Sequence, residues 1–276
     1  MDWDGVELPT LELRVAAARE LGETPERRHQ ALHQLRARIE ALPYAARPDT
    51  GDAALLRVLR ARKMDVEKAF VLARNLKAFE ARYPQYFQRA AGERERFKAI
   101  AQSGVFSLLP GTGPQGHRML ALQFARTPLD DHKGDDIVAF LFWVAERLIR
   151  DPFVQVHGIG ALSSYEGIGH GLFLKLFNLL PLSVRMEYNA CYAARYGPIC
   201  IFHAPFFVAA VFKLMKPFLP AKVKARVSFT SDYAAAKELY PDVSRLPPPF
   251  GTASVDVGSG MRSWVTLQLE LEARGL

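Results

Sequence analysis

The sequence has few of the residue patterns that mark metal, disulfide or nucleophile chemistry. Its 276 residues include two cysteines, Cys191 and Cys200, which form neither a Cys-x-x-Cys pair nor a cysteine–histidine cluster. We therefore expect reduced core thiols in a cytoplasmic protein, without a metal site or a disulfide framework. Ser163 and Ser164 lie in no Gly-x-Ser-x-Gly elbow. The sequence offers no nucleophile–base pair, and we expect no enzyme.

Long apolar segments are also scarce. The longest, PICIFHAPFFVAAVF, is shorter than a membrane span and is interrupted by His203 and Pro205. The first ten residues, MDWDGVELPT, are acidic and lack the apolar core of a signal peptide. We therefore expect a water-soluble protein. Lysine and arginine exceed aspartate and glutamate by 36 to 29, which favours an anionic partner, either nucleic acid or a membrane surface.

One glycine-rich string, GTGPQG at residues 111–116, has the spacing of a dinucleotide-binding loop. Such a loop follows a strand and begins a helix. Here a predicted strand comes next, and Pro114 lies inside the string. We interpret the string as a turn that leads into a strand and predict no nucleotide site.

The order of predicted elements indicates an α/β protein. Apolar spacings of three and four predict helices in PERRHQALHQLRARIEAL and in VEKAFVLARNLKAFEARYP, the second with Asp65 as its N-cap. Strands are predicted in HRMLALQFA, FVQVHGIGALSS, PICIFHA and AKVKARVSFTS, with helices between them. We expect a small N-terminal helical bundle followed by a mixed, mostly parallel sheet flanked by helices.

The segment LLRVLRARKMDVEKAF, residues 55–70, contains arginines in two different positions relative to its leucines. At about 100° per residue, the leucines and the valine form an apolar arc that includes Arg62 and excludes Arg57 and Arg60. Either Arg62 faces an interior junction, or it lies past the helix end or pairs with Asp65 or Glu67 at the surface.

The most unusual segment is PFFVAAVFKLMKPFLP, residues 205–220, which is hydrophobic on nearly all sides. Lys213 and Lys216 are its only charged residues, and Lys222, Lys224 and Arg226 follow it. A helix of this kind is either fully buried or faces lipid or a ligand cavity. Apolar residues beside a basic cluster suit contact with an anionic bilayer. The basic residues do not alternate with stacking aromatic residues, so we expect no nucleic-acid partner.

These segments resemble the CRAL-TRIO (Sec14-like) lipid-binding family. DAALLRVLRARKMDVEKAFVLARNLKAFEARYPQYF is similar to its N-terminal helical module. FHAPFFVAAVFKLMKPFLPAKVKARV, followed by LYPDVSRLPPPFGT, is similar to its lipid-binding domain. The nearest branch is that of α-tocopherol transfer protein, cellular retinaldehyde-binding protein and clavesins. The resemblance implies a helical module at residues 1–92 and a CRAL-TRIO-like domain at residues 93–276.

The resemblance implies an intracellular lipid carrier. It would hold one hydrophobic molecule in an enclosed cavity and exchange it at membranes through a mobile gate helix, residues 205–219. The ligand class stays open among tocopherol, retinoid, carotenoid, terpenoid and phospholipid, and no cofactor beyond that ligand is implied. The expected location is the cytoplasm, with transient peripheral association with an anionic or phosphoinositide membrane surface. The alternative is a phosphoinositide-binding recruitment module without transport.

The resemblance also assigns residues to two sites. The implied ligand and gate residues are Phe140, Ser163, Phe206, Phe207, Val208, Val211, Phe212, Met215, Phe218 and Leu219. The implied head-group residues are Arg62, Arg195, Lys222 and Arg226, and Arg62 would share a phosphate with Lys222 and Arg226. Four positions depart from the expected pattern: Gly197 replaces a cleft arginine of the branch, and Ser164 stands where the family often has an aspartate. Ile168 stands where the tocopherol branch commonly has an aromatic residue, and Thr252 replaces the second of two glycines.

Overall fold

The computed structural model describes residues 6–87, 95–219, 221–252 and 257–274; the side chains of residues 218, 222 and 257–259 lie outside the described set. The chain forms two compact units. Unit 1 comprises Met1–Phe87, Trp143–Gly158 and Pro181–Arg195, and unit 2 comprises Gln88–Phe142, Ile159–Leu180 and Tyr196–Leu276. The predicted division of the chain at residue 92 stays a prediction.

Unit 1 is helical in the part that the structure describes. Its helices are α1 (Leu11–Leu21), α2 (Pro25–Glu40), α3 (Asp52–Ala61), α4 (Val66–Arg82), α5 (Pro84–Phe87), the end of α7 (Gly134–Leu148), α8 (Pro152–Val156) and α10 (Leu182–Cys191). A 3-10 turn lies at Tyr44–Ala46. Thr10, Thr24 and Asp65 cap α1, α2 and α4, because each side chain accepts a hydrogen bond from a backbone N–H of the first turn. The predicted Asp65 cap is confirmed.

The interior of unit 1 contains a buried ion pair. Arg60 on α3 is 0% exposed, and its Nε and Nη2 donate to the two carboxylate oxygens of Glu23 at 2.8 Å each. Nη1 donates to Oε1 of Gln155 at 2.7 Å, and Nη2 also donates to the carbonyl oxygen of Val6 at 2.9 Å. The placement of Arg60 outside the apolar arc was therefore wrong. Its side chain is buried because a distant carboxylate neutralises it.

Unit 2 is built on a five-stranded sheet with the order β1-β2-β3-β4-β5 among the described residues. The strands are β1 (Phe106–Leu108), β2 (Arg118–Gln123), β3 (Ile159–Ser164), β4 (Tyr196–Phe202) and β5 (Val227–Thr230). β1 is antiparallel to β2, and the other neighbouring pairs are parallel. The predicted mixed, mostly parallel sheet is confirmed.

The helices of unit 2 lie between and after these strands. They are α6 (Arg96–Gln102), the first part of α7, α9 (His170–Asn178), α11 (Phe206–Met215), α12 (Ala221–Lys224), α13 (Ala236–Leu239) and α14 (Val257–Ala273). Short 3-10 turns lie at Phe124–Arg126, Lys216–Phe218, Tyr233–Ala235 and Val243–Arg245.

Two predicted strands are shorter than expected. The first part of FVQVHGIGALSS belongs to helix α8 instead of a strand. The helix starts there because Asp151 accepts a hydrogen bond from the backbone N–H of Phe153 and Pro152 occupies the first helical position. AKVKAR contains helix α12, and β5 starts only at Val227. The predicted gate helix is also shorter than residues 205–219. It changes to a 3-10 turn at Lys216, where Pro217 has no N–H to continue the α-helix.

The GTGPQG string forms the hairpin loop between β1 and β2. The N–H of Gly113 donates to the carbonyl oxygen of His117 at 2.9 Å, and the N–H of Gly116 to that of Gly113 at 2.9 Å. Gly111 and Gly116 have φ of 73° and 82°, a region that favours glycine. A strand follows the loop, as predicted, and no helix begins at the string.

One face of the sheet carries the main core of unit 2. Here the buried side chains of the strands pack against the segment that follows β5. The buried members are Leu109, Met119, Ala121, Leu162, Cys200, Phe202, Ala236, Tyr240, Leu246 and Phe250. We call this side the packed face.

Candidate functional site

The opposite side of the sheet, which we call the second face, is largely apolar and only partly covered. One row crosses the strands through Leu122, Ser163, Ile201 and Phe229, which are register neighbours. The next row consists of Leu120, Ala161, Ile199 and Val227. Ser163 and Ile201 are buried, while the other six residues stay partly accessible, Phe229 at 41%. The sheet therefore has one solid side and one side with accessible apolar surface.

Phe140 lies at the β1 side of the second face. Its side chain is 0% exposed, and its ring centroid lies 5.5 Å from that of Phe97 and 6.0 Å from that of Phe106. Phe106 is the register partner of Leu122, so it lies on the second face. Phe140 on α7 and Ser163 on β3, the two implied ligand residues outside residues 205–219, are thus both associated with this face.

Helix α11 packs through its inner side on helix α9. Val208 is the buried residue of α11 among its described residues, and it shares a cluster with Ile168 and Phe173. The ring of Phe207 lies 5.2 Å from that of Phe173 and 5.3 Å from that of His170. Aromatic pairs at these separations attract beyond the area that they bury. These contacts hold the first half of α11.

The second half of α11 reaches the sheet. The ring centroid of Phe212 lies 4.9 Å from that of Phe229, which belongs to the second face. Val211, Phe212 and Met215 are only half-buried, as is Leu219 beyond the helix. The side chain of Phe218, another predicted gate residue, lies outside the described residues. The inner side of α11 is therefore next to accessible apolar surface instead of a filled core.

The outer side of α11 is exposed to water although it is apolar. Phe206 is 85% exposed and Leu214 is 72% exposed. Lys213 and Lys216 are exposed as well. Water-exposed phenylalanine and leucine beside lysine are typical of a surface that meets lipid. Full burial, one of the two alternatives for this segment, is excluded for its outer side.

A polar cluster missed by the sequence analysis lies at the end of β3. The hydroxyl of Tyr233 donates to Oε2 of Glu166 at 3.0 Å, and Ser164 Oγ lies 2.7 Å from the same hydroxyl. Burial raises the pKa of Tyr233 to about 12, so this phenol is a poor general base for Ser164. A cavity of about 280 Å³ lies beside the cluster, between Ser164, Glu166 and Pro248. The hydroxyl of Ser164 therefore joins the end of β3 to the segments that contain Glu166 and Tyr233.

Arg62 lies immediately after α3, which ends at Ala61. Its Nη2 donates weakly to the carbonyl oxygen of Ala190 at 3.4 Å. Burial lowers the pKa of Arg62, and among the described residues no carboxylate pairs with it. Asp65 pairs instead with Lys68. Arg62 is thus a half-buried cation past the helix end, in agreement with one of the alternatives from the sequence.

The other predicted head-group residues have different surroundings. Arg195 is 17% exposed and pairs through Nη1 with Oε2 of Glu20 at 3.0 Å, and it also donates to the carbonyl oxygen of Val156. Arg226 is half-buried in unit 2, and the side chain of Lys222 lies outside the described residues. The phosphate site that Arg62 would share with Lys222 and Arg226 stays a prediction.

In the described ranges, histidine, cysteine, aspartate and glutamate form no group of three or more that could hold a metal ion. In the same ranges no helix has both the length and the apolar character to cross a bilayer. Cys191 and Cys200 are both buried free thiols.

Comparison with known proteins gives matches that agree with this geometry. Residues 102–251 match the CRAL/TRIO domain. The chain is 26% identical to a Mus musculus protein described as alpha-tocopherol transfer protein-like, over 95% of this chain and 76% of the relative. It is 29% identical to Clavesin-1 of Rattus norvegicus, over 75% of this chain and 59% of the relative. The crystal structure of Sfh5 superposes with a TM-score of 0.51 and 8% identity, over 97% of this chain and 100% of Sfh5. That likeness concerns the fold alone.

Proposed function

This chain belongs to the CRAL/TRIO domain family, and we propose that it carries one small hydrophobic molecule between membranes. The observation that supports this most directly is helix α11, whose outer side exposes Phe206 and Leu214 to water while its inner side packs incompletely. Relatives named for tocopherol transfer are consistent with such a role. The guest would be a tocopherol, retinoid, carotenoid, terpenoid or phospholipid.

The guest would lie between the second face and α11. The accessible side chains of its two rows are aliphatic or aromatic, and Ser163 supplies a hydroxyl next to the end of β3. Burial of apolar surface gives about 25 cal/mol per Å². A guest that buries a few hundred Å² therefore gains several kcal/mol, which is sufficient for useful affinity in a closed pocket.

Release would use α11 as a gate. Opening of the helix in water exposes Phe207 and Phe212, which is costly, whereas lipid accommodates both rings. The membrane therefore favours the open state because it interacts differently with the two states. Phe206 and Leu214 would hold the protein on the bilayer during this step.

Anionic head groups would orient the docked protein. Lys222, Lys224 and Arg226 follow the gate in sequence, and a basic side chain near an anionic surface contributes about 1 kcal/mol. Arg62 is a further candidate because it has no carboxylate partner among the described residues and its guanidinium can bind phosphate in a bidentate manner. Arg195 could take part only by leaving Glu20.

A transfer assay tests the carrier function. Donor vesicles containing a tritiated tocopherol, retinol or phospholipid are mixed with unlabelled acceptor vesicles, and movement of each label is measured with and without protein. Protein-dependent transfer of at least one label is expected. If the protein accelerates none of them, the carrier function is wrong.

A matched pair of substitutions tests where the guest lies. Ala161→Phe adds a ring to the second face at a half-buried position, so we expect loss of guest binding with little loss of stability. Ala121→Phe adds the same ring to the packed face, where Ala121 is 1% exposed, and should destabilise the protein by about 1–3 kcal/mol. Retention of transfer by a folded Ala161→Phe variant would argue against a guest on the second face.

The second candidate function is a phosphoinositide-binding recruitment module that transports nothing. The half-buried cation of Arg62, which has no carboxylate partner among the described residues, favours it. Native mass spectrometry of the purified protein separates the two functions, because a carrier retains a stoichiometric hydrophobic molecule and a recruitment module does not. Binding to phosphoinositide vesicles by a protein that never contains a guest would favour the module.

A further inference from the structure

Unit 1 contains a cavity of about 170 Å³ that plays no part in the proposed carrier function. Its wall is largely aliphatic and is formed by Leu55, Val58, Ala73, Leu76, Ile149 and Ala193. Arg57 of α3 and Glu80 of α4 also line it, and Lys77 and Asp49 are exposed lining residues. The cavity therefore combines apolar surface with one cation and one carboxyl group in its half-buried part.

Arg57 has no close partner in the described part of the chain. Its guanidinium forms no hydrogen bond and no ion pair there, and Glu146, Asp49 and Glu80 act on it only at longer range. Burial and the charge of Arg150 both lower the pKa of Arg57. A desolvated cation without a bonded counter-ion is unfavourable in free energy, and a bound anion that pairs with it removes this penalty. The cavity thus offers five N–H donors to an acidic guest.

Glu80 has an unusual protonation state for a glutamate. Burial, followed by the charge of Glu146 on α7, raises its pKa to about 7, while Lys77 and Arg57 act in the opposite direction. Cys191 on α10 also interacts with Glu80, but burial raises the pKa of this thiol to about 12, so it stays neutral. Near neutral pH about half of the molecules therefore carry a protonated Glu80 that can donate a hydrogen bond.

We infer that this cavity binds a small amphipathic carboxylate. The anionic group of the guest accepts hydrogen bonds from Arg57 and from the protonated carboxyl of Glu80, and its short hydrocarbon chain lies against Leu55, Val58 and Leu76. The volume suits a molecule of several heavy atoms, far smaller than a membrane lipid. This site is independent of the guest proposed for unit 2.

The surrounding charges favour a monoanion over inorganic phosphate. Glu146 and Asp49 are close enough to influence Arg57 or Glu80, and they would repel a dianion more strongly than a carboxylate. Phosphate would also leave the aliphatic wall in contact with water, whereas a hydrocarbon chain covers it.

Binding should be coupled to a proton. If the guest binds only when Glu80 is protonated, its apparent affinity follows the protonated fraction. For a pKa of about 7, this fraction falls about tenfold between pH 6 and pH 8. The glutamine variant of Glu80 keeps a donor and cannot titrate, so the pH dependence should disappear.

Isothermal titration calorimetry with sodium hexanoate tests the assignment on the full chain. We expect saturable binding that is about tenfold weaker at pH 8 than at pH 6, and at least tenfold weaker in Arg57→Met. Arg19→Met, at a 74% exposed side chain on α1, is the matched control and should bind as wild type. Glu80→Gln should bind with equal affinity at both pH values.

Three results would overturn the inference. The first is absence of hexanoate binding to folded wild-type protein, verified by its thermal unfolding transition. The second is undiminished binding in Arg57→Met, which would place hexanoate elsewhere, including the carrier site. The third is displacement of hexanoate by millimolar inorganic phosphate or by hexanol, since phosphate lacks the hydrocarbon chain and hexanol lacks the charge. None of these results depends on whether the protein transfers lipids.

Discussion

The exposed side of helix α11 (Phe206–Met215) allows the membrane contact to be tested quantitatively. Full burial of a large apolar side chain is worth about 1.5–3 kcal/mol. Multiplying the lower value by the exposed fractions of Phe206 and Leu214, 85% and 72%, gives about 2.4 kcal/mol available on entry into lipid. The double variant Phe206→Ser/Leu214→Ser should therefore bind vesicles about 50-fold more weakly. Co-sedimentation with sucrose-loaded vesicles of phosphatidylcholine and phosphatidylserine measures the partition coefficient.

The control for this experiment is a second pair of exposed apolar residues. Leu11 and Val15 on α1 are 65% and 58% exposed, and they lie four residues apart on one helix. Leu11→Ser/Val15→Ser should leave vesicle binding unchanged, and both double variants should keep their free energy of unfolding within about 0.5 kcal/mol per site. Equal vesicle binding by wild type and Phe206→Ser/Leu214→Ser, or an equal loss in the α1 pair, would refute α11 as the docking surface.

Three predictions concern the helical unit. Glu23→Ala removes the partner of buried Arg60 and should lower the free energy of unfolding in urea by about 3–5 kcal/mol; an unchanged value would contradict the role of the ion pair. Gly158→Ala, at φ 98° and with its added Cβ against the backbone oxygen of Arg195, should lower the free energy of unfolding by more than about 1 kcal/mol. Gly171→Ala, in open space on α9 of unit 2, is its control and should stabilise by about 0.4–1 kcal/mol. Because burial raises the pKa of Glu80 from 4.5 to about 7, the folded state binds more protons than the unfolded state in that interval. Stability should therefore fall as pH rises through it. Glu80→Gln should flatten this profile of melting temperatures, and an unchanged profile would exclude Glu80 as its source.

Local patterns in the sequence were sufficient for most of the fold of unit 2. HRMLALQFA was predicted to be a strand, and the observed strand β2, Arg118–Gln123, alternates between half-buried and buried residues. FVQVHGIGALSS was predicted as one strand, but its first part is helix α8. There the cap by Asp151 and the proline after it outweigh the β-branched residues.

The buried arginine could not be predicted from local periodicity. Arg60 and Arg62 are two residues apart, and the helical wheel favoured the wrong one as the inward-facing residue. What decides the burial of Arg60 is Glu23, 37 positions earlier in the chain, together with Gln155, 95 positions later. A one-dimensional pattern contains no information about such a partner.

The candidate site was predictable in part. Its apolar helix was recognisable because lysines interrupt its hydrophobic run at only two positions. The partners of that helix were not, since the contacts of Val208 with Ile168 and of Phe212 with Phe229 depend on how α9 and the sheet are arranged in space. Phe229 could have been suspected from the alternation in VSFT, where serine and threonine flank it.

Docking and gate opening should be separable, because different sides of α11 carry them. In the proposed gate, Phe206 and Leu214 are already exposed before opening, so they would bind lipid equally in both states and favour neither. The preference of the membrane for the open state would then depend on the inner side of α11, where Phe212 is half-buried against Phe229. Phe212→Ser loses about 1 kcal/mol of this contact and should release a bound guest into vesicle-free buffer about fivefold faster.

In the same Phe212→Ser protein, co-sedimentation with vesicles should stay at the wild-type level, because the docking side is intact. The contrary result, loss of vesicle binding with unchanged guest release in buffer, would mean that Phe212 contacts the membrane in the resting state. The helix would then act as a membrane anchor and not as a gate, because the side facing the sheet would have no closed state to stabilise.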